Sequence, residues 1–148
     1  MRSEIQGAFK MKNLSGGCRC GAIRYSCFCE PLAVSYCYCR DCQKASGGPF
    51  CNYAVVPAES VKLIQGRPKS HKVVADRGNE VTREFCGNCG APLFAKNGVV
   101  FVIAVGSLDE PSLAKPTIAI WLASAQPWAP IPTDVARFNG NPPITLGG

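Results

Sequence analysis

Hydrophobic residues occur along this chain in short runs of four to seven residues, most of them bounded by glycine, proline, asparagine or aspartate. Runs of this length that are rich in β-branched and aromatic residues are typical of strands, whereas helices need longer stretches with a 3.6-residue period. The runs are Ala22–Phe28, Ala33–Tyr38, Cys51–Val56, Val61–Ile64, His71–Val74, Thr82–Phe85, Pro92–Ala95, Val99–Val105 and Thr117–Ala123. The pattern predicts a mainly β fold of packed antiparallel sheets.

Turn residues between the runs predict how some strands are connected. Asn97-Gly98 favours a tight hairpin, because a type I′ turn needs positive φ at both central residues. Asp76–Asn79 predicts a second, longer hairpin loop. Only short helical pieces are expected, one over Arg40–Ala45 and one turn near Pro111–Leu113, and the tail from Phe138 onward should be irregular.

The size and composition of the chain predict one domain. The 148 residues are 47% hydrophobic and 18% charged, which suits a buried core. We assign residues 14–148 to a single domain and residues 1–13 to a leader or an added N-terminal segment. No run approaches the roughly 20 apolar residues of a membrane helix, and the N-terminus lacks the apolar core of a signal peptide. The sequence therefore predicts a soluble, cytoplasmic protein without a membrane partner.

The formal net charge of +6 does not indicate nucleic-acid binding. The basic residues are scattered along the chain rather than clustered, and metal-bound thiolates would lower the net charge further. A small anionic substrate is an equally suitable partner, so no nucleic acid is expected.

The ten cysteines are the strongest chemical signal in the sequence. In a chain without an export signal they indicate a reducing compartment, where cysteine clusters more often bind metal than form disulfides. A secreted disulfide scaffold is the alternative. Seven of the ten lie in three short clusters: Cys18-Arg19-Cys20, Cys37-Tyr38-Cys39-Arg40-Asp41-Cys42 and Cys86-Gly87-Asn88-Cys89.

Seven thiolate ligands divide into four plus three, which predicts two zinc ions per chain. Zinc is held by four protein ligands in structural sites and by three in catalytic sites. The two cysteines of a C-x-C pair on a strand point to the same face, so both thiols can bind one ion. A C-x-x-C pair can bind one ion through a tight turn. The three cysteines close together in sequence, Cys37, Cys39 and Cys42, are expected to form the open, catalytic site. The structural site is expected to join Cys18, Cys20, Cys86 and Cys89.

The other three cysteines, Cys27, Cys29 and Cys51, are interpreted as small buried hydrophobic residues. Two alternatives stay open at this point. Cys27-Phe28-Cys29 is another C-x-C pair, and Cys51 could supply a fourth ligand to the three-cysteine site.

These clusters and their neighbours resemble the glutathione-dependent formaldehyde-activating enzyme family, which includes centromere protein V. The similar segments are Gly16–Tyr25, Cys37–Gly47, Phe85–Gly90 and Trp121–Trp128, and the resemblance covers roughly Leu14 to Pro143. It implies a β-tent-like fold of sheets around a structural zinc, shared distantly with Rab-type exchange factors and methionine sulfoxide reductases. It also implies the same four-plus-three division of ligands and the condensation of formaldehyde with glutathione to S-hydroxymethylglutathione.

Taken together, the open three-cysteine site and the resemblance imply a zinc-dependent, carbon–sulfur lyase-type enzyme that acts on a thiol adduct. Its substrate is expected to be a small thiol such as glutathione. Arg40 and Lys44 flank the open site and are candidate partners for substrate carboxylates, while Ser46 and Gly47 form a turn that a substrate could approach. The single histidine, His71, is interpreted as an ordinary solvated or core-edge residue.

Three alternative functions remain open from the residues. A zinc-ribbon-like binding module with two structural zinc ions would have a filled fourth position and no pocket at Cys37–Cys42. A redox protein would use Cys39 and Cys42 as a C-x-x-C dithiol. An iron–sulfur protein would be coloured when purified.

Overall fold

The computed structural model describes residues 13–75, 78–98 and 100–143, which form two β-sheets, one α-helix and several short 3₁₀ turns. The helix, α1, spans Arg40–Ser46. The 3₁₀ turns are Ala58–Ser60, Val105–Ser107, Pro111–Leu113 and Leu122–Ser124. The strands are β1 (Leu14–Gly17), β2 (Arg24–Cys27), β3 (Ala33–Cys37), β4 (Cys51–Val56), β5 (Val61–Gln65), β6 (Lys69–Val74), β7 (Glu80–Phe85), β8 (Pro92–Asn97), β9 (Val100–Ala104), β10 (Ile118–Ile120) and β11 (Ala136–Arg137).

The mainly β prediction is confirmed, and each of the nine apolar runs overlaps a strand. The prediction missed β1 and β11, because neither strand contains a run of apolar residues from which it could be predicted. The turn at residues 111–113 and the helix after Cys39 lie where they were expected. Of the predicted segments, residues 1–12 of the N-terminal segment, Asp76, Arg77, Val99 and residues 144–148 lie outside the described residues.

Both predicted hairpins are present, with one difference in detail. Strands β8 and β9 are antiparallel, and Asn97 pairs with Val100, so Asn97 belongs to the strand rather than to the centre of the turn. Gly98 supplies positive φ, at 62°. Strands β6 and β7 form the longer hairpin, with Val74 paired to Glu80.

The two sheets pack face to face and enclose the main core. The smaller sheet has the order β1-β2-β5, and the larger has the order β11-β10-β3-β4-β9-β8-β7-β6. Most pairs are antiparallel, but β10 pairs in parallel with β3 and with β11, so the larger sheet is mixed rather than purely antiparallel. In the core between the sheets, Tyr25 of β2 meets Phe94 of β8 edge to face, with ring centroids 4.9 Å apart.

Close packing explains one glycine of the N-terminal segment. A Cβ atom on Gly16 would lie 2.4 Å from the Tyr25 hydroxyl and 2.4 Å from the Ser107 carbonyl oxygen. The Tyr25 hydroxyl is hydrogen-bonded to the Ser107 hydroxyl at 2.5 Å. Glycine at position 16 therefore lets β1 lie directly against the turn that follows β9.

The second face of the larger sheet is lined by small aliphatic side chains. In β9, alternation sends Phe101 and Ile103 into the main core and leaves Val100 and Val102 on the opposite face. Val102 packs there with the buried residues Val81 and Ala95. This face carries the cavity described below.

Across the described ranges, none of the helices is long and apolar enough to span a membrane.

Candidate metal centres and the adjoining cavity

Four cysteine thiols from two distant segments meet at one end of the smaller sheet. The Sγ atoms of Cys18, Cys20, Cys86 and Cys89 all lie within 4.8 Å of one another. Cys18 and Cys20 lie in the turn after β1, and Cys86 and Cys89 in the turn after β7. The Sγ distances are 3.6 Å between Cys18 and Cys20 and 3.8 Å between Cys20 and Cys86. A tetrahedral zinc site with Zn–S bonds of about 2.3 Å requires sulfur atoms about 3.8 Å apart, so this geometry fits zinc.

Backbone amides around the four thiols are arranged to stabilise thiolates. The Ile23 amide donates to Cys18 Sγ at 3.2 Å, and the Asn88 and Cys89 amides donate to Cys86 Sγ at 3.3 and 3.4 Å. Hydrogen bonds from the amides of Ala91 and Cys20 lower the pKa of Cys89 to about 6. Such donors favour the ionised form that metal binding requires.

Three further thiols form a second cluster where β3 passes into α1. The Sγ atoms of Cys37, Cys39 and Cys42 lie within 4.8 Å of one another. Cys37 ends β3, Cys39 is the N-cap of α1, and Cys42 lies in its first turn; the Cys42 amide donates to Cys39 Sγ at 3.3 Å. The capping bond explains why the chain turns sharply enough to bring the three together. The C-x-C pairs Cys18/Cys20 and Cys37/Cys39 do not lie within strands. Their thiols therefore come together through turns rather than through strand alternation.

Each of the three thiols shifts the pKa of its neighbours. Hydrogen bonds with Cys37 and then Cys42 lower the pKa of Cys39, whereas the neighbouring thiols Cys37 and Cys39 raise the pKa of Cys42. The thiol of Cys39 also raises the pKa of Cys37, to about 12. Three thiols this close cannot all ionise without a cation, so the cluster is matched to a metal ion.

Arg83 connects the three-thiol cluster to the larger sheet. From β7, its Nη2 donates to Asp41 Oδ2 and its Nη1 donates to the Tyr53 hydroxyl. The same Nη2 lies 3.9 Å from Cys42 Sγ. Burial by itself lowers the pKa of Arg83, but the neighbouring oxygens of Tyr53 and Asp41 outweigh burial and raise it. The guanidinium is therefore a permanent positive charge beside the thiols.

The three thiols open onto a cavity of about 440 Å³ over the second face of the larger sheet. Trp121 lies at one side of this cavity and packs on the thiol cluster, with its Nε1 donating to Asn141 Oδ1 at 2.8 Å. Trp121 has φ 59° and ψ 38°, a left-handed conformation that is unusual for a bulky residue. Backbone strain of this kind concentrates at functional sites.

Three of the four predicted substrate-binding residues lie on a second depression, which Ser46 does not line. Arg40, Lys44 and Gly47 border it, together with Trp128, whereas the three thiols do not. Arg40 Nη1 donates to Gln43 Oε1 at 2.6 Å. Ser46 accepts a hydrogen bond from the Gly48 amide at 3.1 Å, and Gly47 ends α1 in the left-handed conformation, with φ 74°. Their proposed contact with substrate carboxylates stays a prediction.

The three remaining cysteines belong to neither cluster. Cys27 is completely buried and lies 3.4 Å from the Ser60 hydroxyl, and Cys29 packs on the same core. Cys51 is buried behind the three-thiol cluster, with its Sγ donating to the Cys42 carbonyl oxygen at 3.1 Å. No disulfide joins any of the ten cysteines, so the structure does not support the disulfide-scaffold alternative. His71 lies exposed on β6 and lines neither depression.

Sequence reasoning missed Arg83 and Tyr53. One feature of the sequence indicates Arg83. In the strand predicted before Cys86, alternation places Arg83 on the same face as Val81, which is apolar. A charged residue at such an inward position needs a partner. Nothing local identifies Tyr53 or Asp41 as those partners, because Asp41 is 42 residues away from Arg83 in sequence.

Comparison with known proteins supports the family and the fold. The family model for glutathione-dependent formaldehyde-activating enzyme matches residues 13–124. A crystal structure of a Rhodobacter sphaeroides protein from a structural genomics programme is similar, with a TM-score of 0.53, 18% sequence identity, and coverage of 69% of this chain and 96% of that one. At this identity the likeness shows a shared fold alone. No curated protein matches the sequence. Because the family model spans well over half of the sequence, including both cysteine clusters, this chain belongs to the glutathione-dependent formaldehyde-activating enzyme family.

Proposed function

We propose that this protein is a zinc-dependent enzyme of the carbon–sulfur lyase type that forms or cleaves an adduct between a small thiol and an aldehyde. Membership of the family supports glutathione as the thiol and S-hydroxymethylglutathione as a product. The observation that carries the proposal is the three-thiol cluster at the end of a 440 Å³ cavity. Within the described ranges no fourth His, Cys, Asp or Glu joins that cluster.

The two clusters are proposed to have different roles. Cys18, Cys20, Cys86 and Cys89 would hold a structural zinc with a complete set of ligands. The other three, Cys37, Cys39 and Cys42, line the cavity and would hold a zinc that lacks a fourth protein ligand. When bound, such a zinc supplies Lewis acidity and a coordination site for a soft sulfur atom.

The reaction itself needs little beyond orientation and one proton transfer. In the forward direction the thiol S–H bond breaks, sulfur bonds to the carbonyl carbon, and the proton ends on the carbonyl oxygen. Arg83 and Asp41 hold the Cys42 end of the cluster in place, and Trp121 covers one side of the thiols. Arg40 and Lys44 are proposed to receive the carboxylates of the thiol substrate, with Ser46 and Gly47 forming the adjacent turn.

The cavity favours an enzyme over the zinc-ribbon-like binding module, which needs a filled fourth position and no pocket. The C-x-x-C redox alternative requires Cys39 and Cys42 to be free of metal and to form a reversible disulfide. We further propose a cytoplasmic location, since clusters of metal-binding cysteines are typical of reducing compartments, and no nucleic-acid partner, since the proposed function needs none.

The test combines metal analysis with a rate measurement. Purified protein should contain two zinc ions per chain and should accelerate exchange between free glutathione and its formaldehyde adduct, measured by NMR saturation transfer. Cys37→Ser should remove this acceleration, whereas Cys29→Ser, at a half-buried cysteine outside both clusters, should keep it. A fully loaded protein that never accelerates exchange with any thiol and aldehyde would contradict the proposal. A reversible Cys39–Cys42 disulfide without metal would favour the redox alternative.

A further inference from the structure

The lining of the cavity suggests which aldehydes the enzyme accepts. Besides the three thiols and eight polar side chains, the described lining consists mainly of small aliphatic residues of five neighbouring strands and of β10. They include Ala33, Val55, Val81, Ala95, Val102 and Ile118. Strand alternation places these side chains on one continuous face, which begins beside Cys37 and runs towards β7.

The described cations that line the cavity are already paired with carboxylates. Arg83 is bound to Asp41, and the side chains of both residues are about 15% exposed. Lys96 Nζ lies 3.1 Å from Glu84 Oε1 and 5.6 Å from the centre of the Phe101 ring. Phe101 belongs to the main core, so the Lys96 ammonium points away from the aliphatic face. Arg83 Nε is buried without a partner, but the charge of this guanidinium is already balanced by Asp41, so a carboxylate in the cavity would compete with Asp41 for it.

The size of the cavity also favours a ligand larger than formaldehyde. A volume of about 440 Å³ lies within the roughly 300–1,000 Å³ of small-molecule sites. Formaldehyde, with two non-hydrogen atoms, would leave most of that space unfilled. Glutathione is large enough to fill it, but its two carboxylates would lose water beside cations that are already paired with Asp41 and Glu84, which is unfavourable.

We propose that the cavity binds an uncharged, apolar group, and that the adduct handled here comes from an alkyl or aryl aldehyde larger than formaldehyde. This inference rests on the proposed function. The sulfur of the thiol bonds to the carbonyl carbon at the three-thiol end, and the S–H proton passes to the carbonyl oxygen. The substituent on that carbon lies along the aliphatic face, while the charged ends of the thiol substrate stay outside the cavity.

The test compares aldehydes with one thiol. Zinc-loaded protein is assayed with glutathione and formaldehyde, propanal, butanal or benzaldehyde, and adduct exchange is measured by NMR against the uncatalysed rate. Burial of one methylene group is expected to raise kcat/KM about fourfold, so the value should increase steadily from formaldehyde to butanal.

Two variants link the preference to the cavity. Val102→Phe fills the centre of the aliphatic face and should remove the preference for butanal and benzaldehyde while keeping activity with formaldehyde. Val55→Thr changes polarity with little change in size and should lower the preference about threefold. Ile64→Phe is the matched control, because Ile64 is 63% exposed on β5, in the smaller sheet. It should leave the preference unchanged.

A binding measurement separates this inference from the proposed reaction. Benzyl alcohol, titrated into zinc-loaded protein and followed by amide NMR, should shift the signals of Ala95 and Val102 in the wild type and not in Val102→Phe. A protein that prefers formaldehyde and does not bind benzyl alcohol would overturn the inference and leave the proposed function intact. Binding of benzyl alcohol without acceleration of any aldehyde would overturn the proposed function and support the cavity assignment. Sedimentation that shows a dimer broken by Val102→Phe would identify the face as an interface between copies and overturn the inference.

Discussion

Arg83 Nη2 on β7 lies 3.9 Å from Cys42 Sγ on α1, so a charge on the larger sheet reaches the three-thiol cluster. The same guanidinium is bound to Asp41, one residue before Cys42. The Tyr53 hydroxyl accepts a hydrogen bond from the other terminal nitrogen of Arg83, Nη1, so the arginine side chain has little freedom to move. The position of α1, and with it the spacing of the three thiols, is therefore tied to β7.

We expect Arg83→Gln to destabilise the zinc-loaded protein by about 2 kcal/mol, because it leaves Asp41 unpaired in a site from which most water is excluded. Urea denaturation at fixed zinc concentration measures this. In the double variant Arg83→Gln/Asp41→Asn, about half of the loss should be recovered, since neither charge is then left alone. Lys96→Gln is the control: the Lys96 side chain is half exposed in its ion pair with Glu84, so solvent screens the pair and the change should be below about 1 kcal/mol. Equal effects of the two single variants would contradict the role assigned to Arg83.

We expect Cys86→Ser to prevent stable folding, because the four-thiol site joins the turn after β1 to the turn after β7. A structural zinc can contribute roughly 10 kcal/mol to folding, which is comparable to the whole stability of a typical domain. Soluble yield and the circular dichroism melting curve test this, with Cys29→Ser as the control. A Cys86→Ser protein that melts like the wild type would show that the site is not structural.

Chelation should remove the two metal ions at different rates. The cluster of Cys37, Cys39 and Cys42 offers three protein ligands at the end of an open cavity, so its ion should leave first. A chromophoric zinc chelator added to the loaded protein should report two phases of equal amplitude, and the fast phase should be absent in Cys37→Ser. Loss of activity should follow the fast phase, and loss of folded structure the slow one. A single phase would contradict the division into an open and a closed site.

The ion pair between Arg24 and Asp109 predicts one feature of acid stability. Arg24 Nη2 lies 2.5 Å from Asp109 Oδ2, and this guanidinium, together with the Ser15 hydroxyl, holds the pKa of Asp109 at about 2. Because the folded-state pKa lies below the unfolded value of about 3.9, the stabilisation is present above pH 4 and is lost as the pH falls towards 2. Carbon-detected NMR should show Asp109 fully ionised at pH 4 in the wild type. In Arg24→Gln protonation should already have begun at that pH, and identical titration in both proteins would contradict the assignment.

Two kinds of result could be predicted from the sequence because their physical causes are local. The strands follow from short apolar runs, as in Cys51–Val56, where the predicted and observed bounds coincide. The ligand clusters follow from spacing, because cysteines two or three residues apart in a turn can reach one ion whatever the rest of the fold does. The grouping of Cys18 and Cys20 with Cys86 and Cys89 could also be predicted, since each pair alone leaves a zinc ion with too few ligands.

Only the tertiary structure decided what surrounds the three thiols. Arg40 and Lys44 are adjacent to the cluster in sequence, yet they border a different depression, because successive positions of a helix face different directions. The cation beside Cys42 comes instead from 41 residues further along the chain. The cavity and its aliphatic lining likewise depend on how β3, β4, β9, β8 and β7 are ordered in the sheet. Strand order and register are set by contacts between distant segments, and no local pattern in the sequence records them.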